Sequence, residues 1–545
     1  MAIIRSNAIV INDTNTGDTI IAGAANSAIS TTGGEDFVLA GAGNDTITDA
    51  VSGSGNDELY GEAGDDTVIA GSGDDLYDGG EGNDTISFAN ATAGVFVNLA
   101  FHTATGATGN DQLFGFERVI GSNFADTIIG DAQNNVLSGG AGNDTLDGSS
   151  GDDTVNGDAG DDRVAGNAGN DVLNGGTGND TFLGESGADA MNGGADTDIV
   201  NYATSRDGVT VNLSGQVNFN GFLVETIGLG SGGDAAGDTY FAIENVTGSS
   251  HADTINGNFA ANRLLGGTGN DIINGGGADD QLFGQLGNDT MDGGTGNDSM
   301  SGGSNDDTMS GGSGNDSMDG DSGADTMNGG DGNDTMLGGT EADIMNGGND
   351  DDVIHGEAGA DVIHGDAGND SITGGSEADQ LFGDAGVDTI RGGDGNDTID
   401  GGSSLDVLFG DAGNDIILGG SGSDRIIGGA NADVMTGGTG SDTFYFQATT
   451  DSQNVVGGLD LITDFVHGSD RINLATIDAN AATSTNDAFR LVNFFEGNFV
   501  GQVAVRFDAA QNLTVVEAHT NTDGISDLMF TLTGNVGLTA SDFTF

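Results

Sequence analysis

A chain that returns an aspartate every nine residues, each at the end of a glycine-rich turn, can fold only as a short-period repeat. From Asp253 the register passes through Asn262 and then runs without a slip through Asp271, Asp280, Asp289, Asp298, Asp307, Asp316, Asp325, Asp334, Asp343, Asp352, Asp361, Asp370, Asp379, Asp388, Asp397, Asp406, Asp415, Asp424, Asp433 and Asp442. An earlier block keeps the same step from Asp126 and Asn135 through Asp144, Asp153, Asp162, Asp171, Asp180 and Asp189 to Asp198. A weaker block opens at Asp18, Ser27, Asp36 and Asp45, slips by three, and resumes at Asp57, Asp66, Asp75 and Asp84. A fixed short period overrides the several globular domains that 545 residues would otherwise suggest.

A representative unit is Gly293-Gly294-Thr295-Gly296-Asn297-Asp298-Ser299-Met300-Ser301, a six-residue turn followed by three residues with an apolar one in the middle. Glycine permits the positive φ that turns carbonyl oxygens toward a common point, and a strand triplet sends its middle side chain to one face. Nine residues make half a coil, so two units complete a coil of 18 and each strand stacks on the strand 18 positions later. The expected fold is all-β: a parallel β-roll solenoid of two sheets, right-handed by the crossover rule, with apolar side chains between the sheets. Met291, Met300, Met309, Met318, Met327, Met336 and Met345 hold that middle position and are assigned to the core, where adaptable thioethers fill a narrow space. His355 and His364, nine apart, are assigned to opposite sheets and therefore form no joint metal site.

Charge then dictates a ligand. The net charge is −77, with 87 acidic residues against ten basic ones, all of them Arg. A basic patch for nucleic acid or an anionic membrane is excluded. Cys is absent, so neither disulfides nor a Cys site for zinc can compensate. Stacked turns align like charges at about 4.8 Å. A hard divalent ion held by carboxylates and turn carbonyls has the all-oxygen shell of calcium, whereas magnesium keeps its waters and zinc would want His or Cys. The metal candidates are Asp45, Asp57, Asp66, Asp75 and Asp84, then Asp144 through Asp189, then Asp271 through Asp442, each in the registers given above. On the order of 30 calcium ions would bring about +60 against the −77. Folding and binding should then be one event. Asn135 and Asn262 mark turns expected to bind weakly or not at all. Glu341, Glu377 and Ser404, at the fourth turn position where glycine is usual, put their sites in doubt, whereas Asn305, Asp350 and Asn431 there tolerate the left-handed conformation.

The nonapeptide resembles the repeat of the RTX family of calcium-binding secreted proteins, over about three quarters of the chain. Beyond it, Ser441-Asp442-Thr443-Phe444-Tyr445-Phe446, Asp460-Leu461-Ile462-Thr463-Asp464-Phe465, Gly468 to Leu474 and the terminal Asp542-Phe543-Thr544-Phe545 resemble the C-terminal module of serralysin-type proteins. That resemblance implies a cap on the roll, an uncleaved signal for a type I (ABC-transporter) secretion system, and a location outside, or on the surface of, a Gram-negative-type bacterium. The expected organisation is a first repeat block with an N-terminal strand (1–87), a β insert (88–125), a second block (126–201), a second β insert (202–252), a third block (253–442) and a capping module (443–545). The inserts resemble one another: Gly94-Val95-Phe96-Val97-Asn98-Leu99 answers Gly208-Val209-Thr210-Val211-Asn212-Leu213, and Phe116-Glu117-Arg118 answers Ile243-Glu244-Asn245. Each is read as an inserted strand pair, in a wider coil or a lateral flap.

What the family carries elsewhere is missing from this sequence. There is no H-E-x-x-H for a zinc protease, no G-x-S-x-G for a lipase, and no Lys to be acylated as in the pore-forming toxins. No 18-residue apolar run or secretory leader is read. The expectation is a non-catalytic, calcium-folded extracellular structural subunit, self-associating as a homo-oligomer or polymer in a surface layer, matrix or filament. The alternative is a monomeric calcium-binding protein or adhesin that holds a glycan or host surface.

Overall fold

The computed structural model describes residues 3–5, 10–12, 16–49, 55–213, 216–219, 222–225, 227–452, 458–480, 482, 487–493, 500–523 and 525–545. The chain divides into two compact units, Met1–Ile273 and Asn274–Phe545. Each is an all-β parallel solenoid, and the only helical elements among the described residues are 3-10 turns at Gly233–Ala235 and Ala540–Asp542.

In the second unit the register follows the 18-residue coil. On one sheet Met300 pairs with Met318, Met318 with Met336 and Met336 with Ile354. On the other, Met291, Met309, Met327 and Met345 succeed one another. All seven methionines are buried, at 0–2% exposure, because the middle residue of every triplet points between the sheets. His355 pairs with Leu337 on one sheet and His364 with Asn346 on the other, so the two face different neighbours; His364 meets Asp384 at 2.8 Å and stacks on Phe382. Past Asp442 the parallel order continues through Thr443–Tyr445, Arg471–Asn473 and Phe543–Thr544, and on the other sheet through Leu461–Ile462 to Leu528–Thr533. There it changes: Leu513–His519 runs antiparallel to both Leu528–Thr533 and Gln502–Asp508.

The first unit stacks in the same way, starting from Ile3–Arg5 on Thr19–Ile21 and Val10–Asn12 on Ala28–Ser30. The inserts are built into the sheets, and each holds more than the expected strand pair. In the first, Val95–Asn98 pairs forward and parallel with Thr127–Ile129, while Gly109–Phe114 pairs back and parallel with Leu76–Glu81. Thr103–Gly106 runs antiparallel between them and joins the two. The second insert repeats this on the opposite sheet. Thr210–Asn212 pairs forward with Thr254–Asn256, Thr239–Phe241 pairs back with Ala190–Ala195, and Gly228–Ser231 lies antiparallel between them. The reversing strand lets short connections join two strands that run in the same direction. A hairpin of Gln216–Phe219 with Phe222–Glu225 accounts for part of the extra length of the second insert.

Core packing here comes from one side chain per nine residues. Met318→Ala is expected to lower stability in saturating calcium by about 2–5 kcal/mol, read as a shifted urea midpoint. Thr308→Ala, on an exposed position of a strand, should stay within about 0.5 kcal/mol.

Candidate metal centre

Each ladder aspartate is buried, and its two carboxylate oxygens have different fates. Oδ1 accepts the backbone N–H of the aspartate one coil earlier: Asp280 donates to Asp298 at 2.8 Å, Asp298 to Asp316 at 2.8 Å, and Asp316 to Asp334 at 2.8 Å. The pattern holds from Asp307 to Asp325 and on to Asp343, and through Asp424 to Asp442. Oδ2 is buried with no hydrogen-bond partner at Asp45, Asp66, Asp84, Asp144, Asp153, Asp162, Asp171, Asp180 and every aspartate of the register from Asp271 to Asp442. A buried carboxylate oxygen left bare costs several kcal/mol in a neutral environment. Repetition of the same orphan at so many rungs gives these oxygens the character of cation ligands.

Glycine shapes that place. The point where Gly293 would carry a Cβ lies 2.5 Å from Asp298 Oδ2 and 2.7 Å from the Gly311 carbonyl oxygen. Gly275 meets Asp280 Oδ2 and the Gly293 carbonyl at the same distances, and Gly338 meets Asp343 Oδ2 and the Gly356 carbonyl at 2.5 and 2.8 Å. A carboxylate oxygen and a carbonyl oxygen thus converge where no side chain fits. This donor set is hard, anionic and free of nitrogen and sulfur, which suits calcium.

Burial, reinforced by neighbouring coils, pushes these carboxyls toward the neutral form. Asp343 is raised to about 7 by burial, against the Asp325 N–H that lowers it, with the Asp361 and Asp325 carboxylates adding to the rise. Asp307, Asp352 and Asp406 reach about 7 in the same way, and Asp415 about 8.

The substituted turns behave differently from expectation. Glu341, Glu377 and Ser404 adopt φ of 76°, 78° and 93°, and Asp343, Asp379 and Asp406 keep their orphaned oxygens. The three substituting residues take a left-handed backbone with the side chain exposed, so Glu and Ser cost conformational strain here without blocking the turn. Asn135, by contrast, presents a buried, unpartnered Nδ2 donor, which repels a cation.

Three predicted ligands lack the orphaned oxygen among the described residues: Asp57, Asp75 and Asp189. Asp75 Oδ2 lies 2.9 Å from the Tyr77 hydroxyl, which also reaches Asp49 Oδ2 at 2.8 Å. Asp49, outside the nine-residue register, brings a carboxylate oxygen within 4.8 Å of those of Asp57 and Asp75. Asp126 and Asp253, the first rungs after the inserts, have Oδ2 satisfied by the Ser122 and Ser249 N–H groups.

Six further carboxylates hold ladder places that spacing does not show. Asp111 accepts from Asp75 N–H, Asp238 from Asp189, Glu117 from Asp84 and Glu244 from Asp198. Asp460 and Asp470 accept from Asp433 and Asp442, and Asp460 also keeps a buried, orphaned Oδ2. Each insert therefore adds one aspartate and one glutamate to the ladder, and the first rungs beyond, Asp126 and Asp253, accept from the Val95 and Val209 N–H groups of the inserts. The matched Glu117 and Glu244 were the one signal of this in the sequence.

A two-sheet solenoid edged by buried carboxylates and glycine carbonyls defines a calcium-binding repeat protein. The model of the RTX calcium-binding nonapeptide repeat (four copies) matches residues 13–47, 51–86, 120–200, 247–336, 337–372 and 373–444, more than half of the chain, and the chain belongs to this family. Its repeats bind calcium. Two solved structures of similar sequence are the AlgE6R2 and AlgE6R3 subunits of the Azotobacter vinelandii mannuronan C5-epimerase. They are 28% and 26% identical over 32% of this chain and 91% and 80% of theirs, with TM-scores of 0.21 and 0.20. No curated protein matches the chain.

Gly293→Ala places a methyl group on Asp298 Oδ2, and Asp298→Asn removes the anionic charge while retaining Oδ1. Each is expected to lower the number of calcium ions bound at saturation by at least one, counted by equilibrium dialysis. The raised carboxyls also predict a pH dependence. A group near 7 in the folded, cation-free coil and near 4 when unfolded stabilises that coil fully below pH 4, and the contribution is lost as pH rises through 7. Calcium must displace those protons. Its apparent affinity should fall between pH 8 and pH 6, with proton release on binding at pH 7 in a pH-stat titration.

Proposed function

We propose that this calcium-binding RTX protein is a secreted, non-catalytic structural subunit that assembles with copies of itself outside the cell. The observation that carries the reading is that nearly all of the buried acidic residues stand in the ladder. The rungs hold their oxygens in backbone hydrogen bonds and cation cradles, and the inserts contribute further rungs, which leaves the solenoid as the product. Calcium neutralises the like charge that would keep copies apart, and exposed apolar side chains such as Val10, Phe101 and Phe124 offer contact area. The N-terminal strands pair within the chain, Ile3–Arg5 on Thr19–Ile21, so an edge there would be offered by an already folded element.

The module after Asp442 is proposed as the terminus that ends the roll and is read by a type I secretion system. Its antiparallel strands Gln502–Asp508, Leu513–His519 and Leu528–Thr533 interrupt the parallel stacking that would otherwise present a further coil. The second reading, a monomeric calcium-binding protein or adhesin that holds a glycan or host surface, is favoured by the aromatic side chains displayed on the first insert. Phe96 and Phe114 are 42% and 36% exposed, and His102 stacks on Phe114.

Sedimentation velocity across a hundredfold range of protein concentration in millimolar calcium separates the two. Concentration-dependent growth into large species is the expected result. A compact monomer at every concentration would transfer the assignment to the binding module.

A further inference from the structure

The calcium ladder contains a stopper made of protein. In the regular coil the glycine five residues before a ladder aspartate faces that aspartate's Oδ2 and the carbonyl of the glycine thirteen residues after it, as Gly293, Asp298 and Gly311 do. For Asp189 these places belong to Gly184 and Tyr202. The Cβ position of Gly184 lies 1.8 Å from Tyr202 Cε1 and 2.4 Å from Cδ1 and Cζ, and no carboxylate oxygen is among its three nearest atoms. The aromatic ring stands where, in the regular coil, a carboxylate oxygen and a carbonyl oxygen converge on the glycine.

Its hydroxyl completes the substitution. Tyr202 is fully buried and donates to Asp238 Oδ2 at 2.5 Å, with the Tyr240 hydroxyl 2.5 Å away. Asp238 is the next rung of the same file, since its Oδ1 accepts the Asp189 N–H at 2.9 Å. The oxygen that is orphaned at Asp153 and Asp171, earlier in this file, is here satisfied by a phenol proton. Neither Asp189 nor Asp238 has a buried Oδ2 without a partner. Two independent features agree: the space is occupied and the charge-bearing oxygen has a donor.

We propose that Tyr202 takes the place of a calcium ion, so that the coil of Asp189 and Asp238 binds none and the second insert joins the roll through a calcium-free rung. The inference rests on the reading of the orphaned Oδ2 atoms as calcium ligands. It makes the insert a boundary: the file of Asp153 and Asp171 ends its calcium there, and the junction is held by side-chain hydrogen bonds and ring packing that a chelator cannot remove. Phe88 and Phe446 stand, like Tyr202, four residues after the last regular aspartate of a block, Asp84 and Asp442, and are also buried. Of the three, Tyr202 carries the hydroxyl that reaches a rung.

Native mass spectrometry of the full chain in saturating calcium counts bound ions directly. Asp298→Asn is expected to lower the maximal count, Asp189→Asn to leave it unchanged, and Tyr202→Gly, which restores the residue of the regular repeat, to raise it by one ion. Loss of an ion in Asp189→Asn, or an unchanged count in Tyr202→Gly, overturns the proposal. An unchanged count in Asp298→Asn overturns the reading of the ladder itself, and the proposal with it.

Discussion

Everything in this molecule depends on a carboxylate whose two oxygens are pulled to different tasks. Oδ1 ties each turn to the one before it through a backbone N–H, and this fixes the coil spacing. Oδ2 is then left buried beside a carbonyl and beside its counterparts in neighbouring coils. At the spacing of stacked strands, two such charges repel by about 3 kcal/mol at an effective dielectric near 20, and the ladder repeats that cost at every rung. A narrow core of one apolar side chain per nine residues cannot offset it alone. Without a cation, burial pushes carboxyls such as Asp343 and Asp415 toward the protonated form; with one, the same oxygens become ligands.

The glycines follow from this constraint. Gly293 and its equivalents must lack a Cβ because a methyl group there would meet Asp298 Oδ2 and the Gly311 carbonyl. At the fourth turn position Glu341, Glu377 and Ser404 adopt a positive φ at some cost in strain. The two glycine places therefore differ in kind: the first borders the carboxylate Oδ2 and a carbonyl oxygen, and the fourth is a place in the turn that Glu and Ser can take. This is why substitution at the fourth position leaves the orphaned oxygen intact, while Tyr202 at the other removes it.

The period, the two-sheet coil, the buried methionines and the oxygen-only chemistry were legible in the sequence because each repeats in register, and each position is read many times. The inserts were not, because their ladder residues are placed by folding and not by spacing. Asp111, Glu117, Asp238 and Glu244 lie 33 to 49 residues from the rungs they accept from. Their reversing strands required a pairing both forward and backward in the chain, which alternation of apolar residues does not specify. Asp75 and Asp189 were read as ordinary ligands since their own turns look ordinary. What distinguishes them is Tyr77, whose hydroxyl reaches both Asp75 and Asp49, and Tyr202, whose hydroxyl reaches Asp238, the rung next to Asp189.

The central claim is that cation binding and folding are a single event, and it is tested most directly by far-ultraviolet circular dichroism at pH 8 while calcium is raised from chelator to 10 mM, with magnesium in parallel. The account predicts a disordered chain in chelator, a cooperative transition to β structure with calcium, and little response to magnesium. A chain already β-folded in chelator, with calcium adding no structure, would contradict it.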